Sequence, residues 1–356
     1  MNELNVEGLV CPVPLRHQEQ IVMGHGSGGK MAADLITKTF LPAFDNAALR
    51  AGDDAGVVSL PEGTDGPARL AISTDSHVVL PLFFPGGDIG RLAVCGTVND
   101  VAMMGATPLY LTAGFILEEG LPLSTLQKVA MSMKEAAAEA GIQIVSGDTK
   151  VVQRGKADGL YINTSGVGVV RPGIELGGAL ARPGDVVLVS GPIGDHGIAV
   201  LGARGELGFE TDIQSDTAPL NHLIAAILDA SPNIHVLRDP TRGGVATTLN
   251  EIAHQSASCI TLDETTIPVR PAVASVCEML GFDPLYIANE GKLLVVVARQ
   301  DADKVLAVMR RTRYGEEAVM IGEVGEAPKG RVLMKTAIGS TRVVDVLMGE
   351  MLPRIC

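Results

Sequence analysis

A chain of 356 residues is longer than one hydrophobic core usually serves, so two domains are expected. Acidic residues outnumber basic ones by 41 to 28, and a charge of −13 at pH 7 disfavours nucleic acid and anionic membranes as partners. No apolar run is long enough to span a bilayer and no secretory pattern opens the chain, so we expect a cytoplasmic protein.

The first half alternates strand-like and helix-like segments. Residues 1–20 are irregular and include an extended Cys-Pro-Val-Pro lead-in at 11–14. A glycine cluster at 24–29 precedes helical periodicity over 30–40, and further helices are predicted at 88–104 and 123–140, capped by Asp88 and Ser124. Strands are predicted at 55–60, 69–73, 108–117, 142–146 and 160–170.

The pattern breaks at Arg-Pro-Gly 171–173 and again at 182–184, which indicates a domain boundary. Beyond it we predict strands at 185–190, 293–298, 318–324 and 331–335, and helices at 217–229, 242–257, 271–280 and 301–311. This alternation predicts an α/β fold in both halves. The predicted units are a lead-in (1–20), an N-terminal domain (21–175), a C-terminal domain (176–342) and a mobile tail (343–356).

Acidic and polar side chains recur next to glycines at the apparent ends of strands in the first half. Such positions suit Mg²⁺, which prefers oxygen ligands and shares its shell with phosphate oxygens. Ordinary turn chemistry is the alternative for any single pair. The candidates for nucleotide and metal binding are Asp53, Asp54, Asp75, Asn99, Asp100, Asp148 and Thr149, with the five aspartates as the predicted magnesium ligands.

The glycine loop at 24–29 is a candidate anion site, because backbone N–H groups are free at the start of the helix that follows. Its predicted phosphate contacts are His25, Gly26, Gly28 and Gly29. Gly24 to Lys30 reads G-x-x-x-x-G-K, but Met31 stands where a P-loop needs Ser or Thr, so a P-loop NTPase is disfavoured. His25 also fits a structural role in the loop, and His196 fits either a site role or a turn at a helix start.

Five scattered cysteines without a C-x-x-C pair argue against disulfides and zinc. Cys356 is the last residue, which excludes prenylation, since that needs a cysteine four positions from the end. Exposed thiols are prone to oxidation, so a free thiol on the last residue of a cytosolic protein is unusual unless it has a function. We therefore predict that a mobile tail carries Cys356 as the reacting group, with an accidental terminal cysteine as the alternative.

Several motifs carry a family resemblance: H-G-S-G-G (25–29), G-D-D-A (52–55), S-T-D-S (73–76), G-T-V-N-D-V-A-M-M-G-A-T-P (96–108), G-D-T-K-V-V (147–152), S-G-x-x-G-D-H-G (190–197), D-P-T-R-G-G (239–244) and A-N-E-G (288–291). Together they resemble the aminoimidazole ribonucleotide synthetase superfamily from residue 20 onward. The ending P-R-I-C at 353–356 is similar to that of the HypE family, the carbamoyl dehydratases of hydrogenase maturation.

This resemblance implies a fold and a reaction. The N-terminal sheets of two subunits are expected to pair into a barrel, with ATP near the homodimer interface. A HypF-like carbamoyltransferase would load a carbamoyl group on Cys356, and the chain would dehydrate this S-carboxamide to a thiocyanate at the cost of ATP. A HypC–HypD complex would accept the cyanide for the nickel–iron centre.

The resemblance also implies roles for two further residues. Glu290 is expected to remove an amide proton, and Lys150 to steady developing negative charge or assist proton movement. The alternatives are a buried Glu that caps a loop and a Lys that only pairs with Asp148. Asp239 and Arg242 either shape the docking cleft of the tail or only cap a helix.

Two other functions are compatible with parts of the pattern. A selenophosphate synthetase or thiamine monophosphate kinase shares the nucleotide motifs but acts on a diffusible substrate, and neither needs P-R-I-C. A non-catalytic carrier would only ferry a thiol-bound group, and it has no use for magnesium ligands or for Glu290.

Overall fold

The computed structural model describes residues 20–26, 28–60, 68–205, 212–347 and 355–356. Residues 1–19 of the predicted lead-in, which include Cys11, and Pro353 and Arg354 of the terminal motif lie outside the described residues. Among the described residues, no helix is long and apolar enough to cross a membrane.

The described N-terminal elements follow one another from a 3₁₀ turn at Met23–Gly26. They are α1 (Lys30–Leu35), a π-helical turn (Ile36–Phe40), α2 (Leu41–Phe44), α3 (Ala47–Ala51), β1 (Gly56–Ser59), β2 (Arg69–His77), β3 (Phe83–Phe84), β4 (Gly87–Asp88), α4 (Ile89–Met103), β5 (Ala106–Glu118), α5 (Leu123–Ala140), β6 (Gln143–Val152) and β7 (Leu160–Val170).

Five of these strands form one sheet in the order β1-β2-β7-β5-β6, in which only the pairing of β5 with β6 is parallel. Helix α4 packs on one face of this sheet and α5 packs on α4. Thirteen of the fifteen residues of α4 are buried, since the helix also contacts the core of the second sheet through Ala102 and Met103. The opposite face of the sheet is open.

The C-terminal elements continue the alternation. They are a 3₁₀ turn (Gly178–Leu180), β8 (Asp185–Val189), α6 (Asp195–Ala203), α7 (Asn221–Ala230), β9 (Ile234–Arg238), α8 (Gly244–Gln255), β10 (Cys259–Asp263), a 3₁₀ turn (Glu264–Thr266), α9 (Pro271–Leu280), a 3₁₀ turn (Pro284–Tyr286), β11 (Leu294–Ala298), α10 (Arg299–Met309), β12 (Val319–Gly325), β13 (Arg331–Lys335) and β14 (Thr341–Val344).

The second sheet has seven strands in the order β14-β13-β10-β12-β8-β11-β9, and its strands β8 and β11 are buried on both faces. Alternate residues of β8 belong to different cores: Val187 and Val189 pack with α8, whereas Val186 and Leu188 pack with α7 and α10. A strand buried on both faces is apolar throughout, which explains the unbroken Val-Val-Leu-Val run of β8.

The elements confirm the predicted α/β class and most predicted segments. Asp88 caps α4 by accepting from the Gly90 and Arg91 amides at 2.7 and 3.1 Å. The prediction that Ser124 caps α5 is wrong, because the helix begins one residue earlier, after Pro122, without a side-chain cap. Sequence patterns missed β9, β10 and β14, which are short and contain polar residues, and α6, which is short and begins within a Gly-Asp-His-Gly sequence.

One prediction about the chain's end needs correction. The tail was expected to begin at residue 343, but Val343 and Val344 pair with β13 as part of β14, where Val344 is buried in a core. The last two residues are also placed on the protein, because Ile355 is 4% exposed and lies in the core between α4 and the first sheet. The end of the chain is therefore seen in a docked position.

Candidate functional site

Buried carboxyl groups converge where the inner face of the first sheet meets the second domain. Asp75 lies on β2, and Asp100 lies on α4, where it accepts from the Ser73 hydroxyl at 2.6 Å. Glu290 approaches from the segment before β11, and within the described part of the chain its Oε1 has no hydrogen-bond partner. The prediction that the aspartates stand at strand ends is wrong for Asp75 and Asp100, because β2 continues to residue 77 and residue 100 is helical.

The second domain adds Arg238 and Asp239 to this cluster, both from the end of β9. Arg238 pairs with Asp54 at 2.6 Å and with Glu251 at 2.6 Å. Asp54 keeps one buried carboxylate oxygen, Oδ2, without a hydrogen-bond partner.

Burial and mutual repulsion raise the pKa of several of these carboxyl groups. Burial, followed by the charge of Asp239, raises the pKa of Asp100 well above its usual range. Burial likewise raises the pKa of Asp239 to about 6. The pKa of Glu290 is also well above normal, first from burial and then from Asp75, Asp239 and Asp216, with Arg242 opposing. Clustered perturbed carboxyls of this kind are typical of functional sites.

Arg242 joins this cluster to the glycine loop. Its guanidinium donates to the carbonyl of Gly26 at 2.9 Å. Gly28 has φ +75° and a Cβ there would lie 2.9 Å from the Arg242 carbonyl oxygen, so only glycine fits this approach. The charges of Cys356, Asp75, Glu290 and Asp100 act on Arg242 and raise the pKa of its guanidinium, with Cys356 contributing most. Arg242 is therefore within electrostatic range of the C-terminal residue.

The C-terminus is held by contacts from both domains. The amide of Val78, just after β2, donates to the backbone oxygen of Cys356 at 2.8 Å. The imidazole of His196 is 2.7 Å from the carbonyl of Ile355. Cys356 is half-buried and packs against the same core as Ile355 and Ala288, two residues before Glu290. The structure thus brings Cys356 into the region of the clustered carboxyls.

Some predicted site residues are held in other contacts. Asp53 accepts from the Gly178 amide at 2.9 Å. The Asn99 side chain donates to Ala218 and accepts from Leu220, so it positions the segment before α7. His25 accepts from the Val22 amide at 3.0 Å, which gives it a structural role in the loop beside Gly29, the residue before α1.

Asp148, Thr149 and Lys150 lie far from this cluster within one chain. They are exposed on the edge strand β6, where Lys150 pairs with Asp148 at 2.6 Å. Strand pairing separates Asp75 on β2 from this edge by three strand spacings, about 14 Å. Asp148 and Asn163 both pair with Gly114 across the sheet, so their side chains lie on the same face, which is the open one. The side chain of Asp75 lies on the opposite face, which α4 covers.

The converging residues fit a magnesium ion held together with phosphate. Among the described residues, no three His, Cys, Asp or Glu side chains form a closed metal-holding group. Magnesium bound with a nucleotide commonly uses one or two protein carboxylates, so a complete protein cage is not expected. Asp54, Asp75 and Asp100 supply acceptors, and the surplus negative charge of the cluster would be relieved by a divalent cation.

Sequence patterns assigned Asp239 and Arg242 only an open role, left the role of His196 open as well, and did not include Arg238. Arg238 ends β9, an element that the patterns missed, and Asp239 and Arg242 follow it, so the approach of these three residues to Asp54 and Asp75 was not apparent. The one available signal was the cluster of charged residues at Arg-Asp-Pro-Thr-Arg, 238–242, directly before two glycines.

Both halves of the chain match known protein families. Residues 52–170 match the family described as AIR synthase related protein, N-terminal domain, and residues 182–335 match the corresponding C-terminal domain. A Cupriavidus necator protein named carbamoyl dehydratase HypE is 57% identical over 337 residues, which cover 95% of either chain.

Solved structures agree with this assignment. A HypE–HypF complex contains a chain with a TM-score of 0.82 and 51% identity, covering 88% of this chain and 99% of that one. The structure of HypE in complex with ATP has a TM-score of 0.78 and 50% identity, covering 95% of this chain and 100% of that one.

Proposed function

This chain belongs to the HypE family of carbamoyl dehydratases, which are hydrogenase maturation proteins, and from that premise we propose that it uses ATP to dehydrate an S-carboxamide on its own Cys356 to a thiocyanate. One observation carries the proposal: the docked terminus places Cys356 close enough to Arg242 for their charges to interact, and Asp75, Asp100 and Glu290 act on the same guanidinium. The named relatives and the ATP-bound HypE structure support the same assignment.

The reaction removes one oxygen and two protons from the carboxamide. The oxygen takes the terminal phosphoryl group of ATP and leaves as phosphate, while the nitrogen loses both hydrogens and the C≡N bond forms. The products are S-cyano-cysteine, ADP and phosphate. Such phosphoryl transfer depends mainly on positioning and on neutralising charge.

The residues of this chain supply the positioning and the proton acceptor. Arg242 anchors the glycine loop and is within electrostatic range of Cys356, so it is placed to offset negative charge on the reacting group. Glu290 is placed to take an amide proton once it is ionised, and a raised pKa makes its carboxylate a stronger base. Asp54, Asp75 and Asp100 would hold magnesium, which neutralises phosphate charge when bound. Asp53 is not assigned to magnesium, because its carboxylate accepts a hydrogen bond from the Gly178 amide.

Mass spectrometry of the C-terminal peptide tests the function. The full chain, carbamoylated at Cys356, is incubated with Mg-ATP and digested. We expect a mass loss of about 18 Da, one water, confined to Cys356 and matched by one ADP per modified cysteine. If the S-carboxamide stays unchanged and no ADP forms, the dehydratase function is rejected and the chain is a carrier of the thiol-bound group.

The open face of the first sheet suggests how Lys150 reaches the reaction. This face carries the exposed side chains of Ile72, Tyr110, Ile116 and Val169, and an uncovered apolar sheet face usually marks an interface. We propose that two copies pair through this face as a homodimer, which closes the sheets into a barrel. Lys150 and Asp148 lie on the same face and would then serve the site of the other copy, with Asp148 as a further magnesium or nucleotide contact.

A mixing experiment checks this arrangement. Lys150→Ala alone should lower the dehydration rate by about 10²-fold, and Cys356→Ala alone has no reacting group. When the two variants are unfolded, mixed and refolded together, paired copies regain one complete site. Random pairing then predicts conversion of about half of the loaded Cys356. No recovery, in a mixture that light scattering shows to be dimeric, would place Lys150 in its own chain's site.

The partners follow from the same family. The solved HypE–HypF complex supports a HypF-like carbamoyltransferase as the protein that loads Cys356. A HypC–HypD complex is the proposed acceptor of the cyanide. For loading and delivery Cys356 must leave its docked position, so the proposed tail, which follows β14, alternates between its own site and those of its partners.

A further inference from the structure

His196 makes the one side-chain hydrogen bond to Ile355 that is seen in the described part of the chain. The ring is fully buried in the first turn of α6, and Phe84 packs edge-on against it with ring centroids 5.5 Å apart. Its Nε2 is 2.7 Å from the Ile355 carbonyl, and its Nδ1 is 2.8 Å from the Ser215 hydroxyl. The ring therefore joins the docked terminus to the loop at 212–218.

The hydrogen-bond partners determine which nitrogen carries the proton. A carbonyl oxygen only accepts, so Nε2 must donate to Ile355. The Ser215 hydroxyl oxygen accepts a hydrogen bond from the Thr217 amide at 3.1 Å. It lies 2.6 Å from the Thr217 hydroxyl, and in this arrangement the Thr217 hydroxyl donates to Ser215. Ser215 in turn donates to Nδ1, and the ring is neutral. Burial lowers the pKa of His196, in agreement with this form.

The same loop also positions Glu290. Asp216, between Ser215 and Thr217, accepts from the Glu290 amide at 3.0 Å. On the other side of the ring, Gly194 donates to Asn289 at 2.8 Å and Gly197 donates to the carbonyl of Ala288 at 3.1 Å. The segment carrying Glu290 and the ring that contacts Ile355 thus share one hydrogen-bonded support.

We infer that His196 is a positioning residue that recognises the main chain of the C-terminus and holds it docked, so that the sulfur of Cys356 stays within electrostatic range of Arg242. The ligand of this site is the C-terminal end of a peptide chain. His196 binds the carbonyl of its penultimate residue, and the Val78 amide binds the backbone oxygen of its last residue. The inference deepens the proposed function and rests on it for its purpose, although docking itself is measurable without ATP or a carbamoyl group.

Alkylation of Cys356 in the full-length protein tests docking directly. His196→Asn keeps a polar side chain but is too short to reach Ile355, whereas His196→Gln places an amide N–H near the position of Nε2. Loss of one such hydrogen bond should raise the undocked fraction, and with it the rate of iodoacetamide modification at Cys356, by about tenfold in His196→Asn. His196→Gln should stay within about threefold of the unsubstituted protein.

His222 provides a matched control, because its Nε2 also contacts a backbone carbonyl, that of Glu139 at 3.1 Å, far from the terminus. His222→Asn should leave alkylation of Cys356 unchanged. Hydrogen exchange at the Val78 amide is the second readout and should accelerate only in His196→Asn. If His196→Asn fails to fold, Ser215→Ala replaces it, with a smaller increase expected.

The inference is overturned if folded His196→Asn is alkylated at the unsubstituted rate, or if His196→Gln behaves like His196→Asn. Because neither readout involves dehydration, a protein that lacks the proposed activity can still confirm the docking role. An active protein with unchanged alkylation in every His196 variant would instead retain the proposed function and reject His196 as the positioning residue.

Discussion

Replacement of Cys356 by Ala abolishes the dehydration entirely while leaving the fold intact. Without the sulfur no S-carboxamide can form at the terminus, so neither the modified peptide nor thiocyanate should be detected by mass spectrometry. The half-buried thiol contributes little packing, and removing it should change the free energy of unfolding by less than about 1 kcal/mol.

Cys277→Ala is the matched control for this prediction. Cys277 lies buried in α9, and burial raises the pKa of its thiol to about 11, so it remains an unreactive thiol at neutral pH. The variant should dehydrate a loaded Cys356 at the unsubstituted rate and lose about 1 kcal/mol of stability from the cavity. Thiocyanate formation in Cys356→Ala, at any other cysteine, would refute the role of the C-terminus.

Replacement of Glu290 by Gln stops the reaction at the carbamoylated protein. Gln cannot accept the amide proton, and loss of a general base typically costs about 10³-fold in rate. Because the proposed loading of Cys356 takes place on the partner enzyme, the S-carboxamide should accumulate at its normal level. Single-turnover mass spectrometry of the C-terminal peptide measures both the dehydration rate and the amount of S-carboxamide. A rate within tenfold of the unsubstituted protein would exclude Glu290 as the base.

The same substitution should stabilise the protein when nucleotide and magnesium are absent. The pKa of Glu290 is raised in the folded state, so folded protein binds more protons than unfolded protein once the pH exceeds about 4.5. Stability is therefore lost as the pH rises through the folded pKa. Glu290→Gln removes this loss, and its advantage in melting temperature should be larger at pH 8 than at pH 5.

Glu326→Gln controls for the change of a carboxyl to an amide, because Glu326 is exposed in the turn after β12. It should shift the melting temperature equally at both pH values. A Glu290→Gln difference that is the same at pH 5 and pH 8 would show that the carboxyl is already ionised at low pH in the folded protein.

Periodicity predicted the elements whose burial is uniform or regularly alternating. The strand at 331–335 and the helix at 271–280 were predicted with the residues that the structure shows, since β13 alternates and α9 has one apolar side. Helix α4 was predicted from its apolar residues, although burial on all sides leaves it little amphipathic pattern. The strand that carries Asp75 was predicted four residues too short, because Ser, Thr and Asp at 73–76 resemble a loop.

The grouping of the site residues depends on contacts that no local pattern encodes. Asp54 meets Arg238, and Ser73 meets Asp100, through the packing of separate strands and helices. Asp75 and Asp148 occur in similar motifs, yet strand alternation and three strand spacings put them on opposite faces. The role proposed for His196 depends on a contact with residue 355, 159 positions away.

The most direct measurement follows the carboxamide oxygen. The chain is carbamoylated at Cys356 with an ¹⁸O-labelled group and supplied with Mg-ATP, and the inorganic phosphate is analysed by mass spectrometry. Transfer of the label into phosphate, with one labelled phosphate per thiocyanate at Cys356, is the predicted result. Label that stays on the protein, or that is released as water while the phosphate remains unlabelled, would contradict ATP-dependent dehydration at the docked C-terminus.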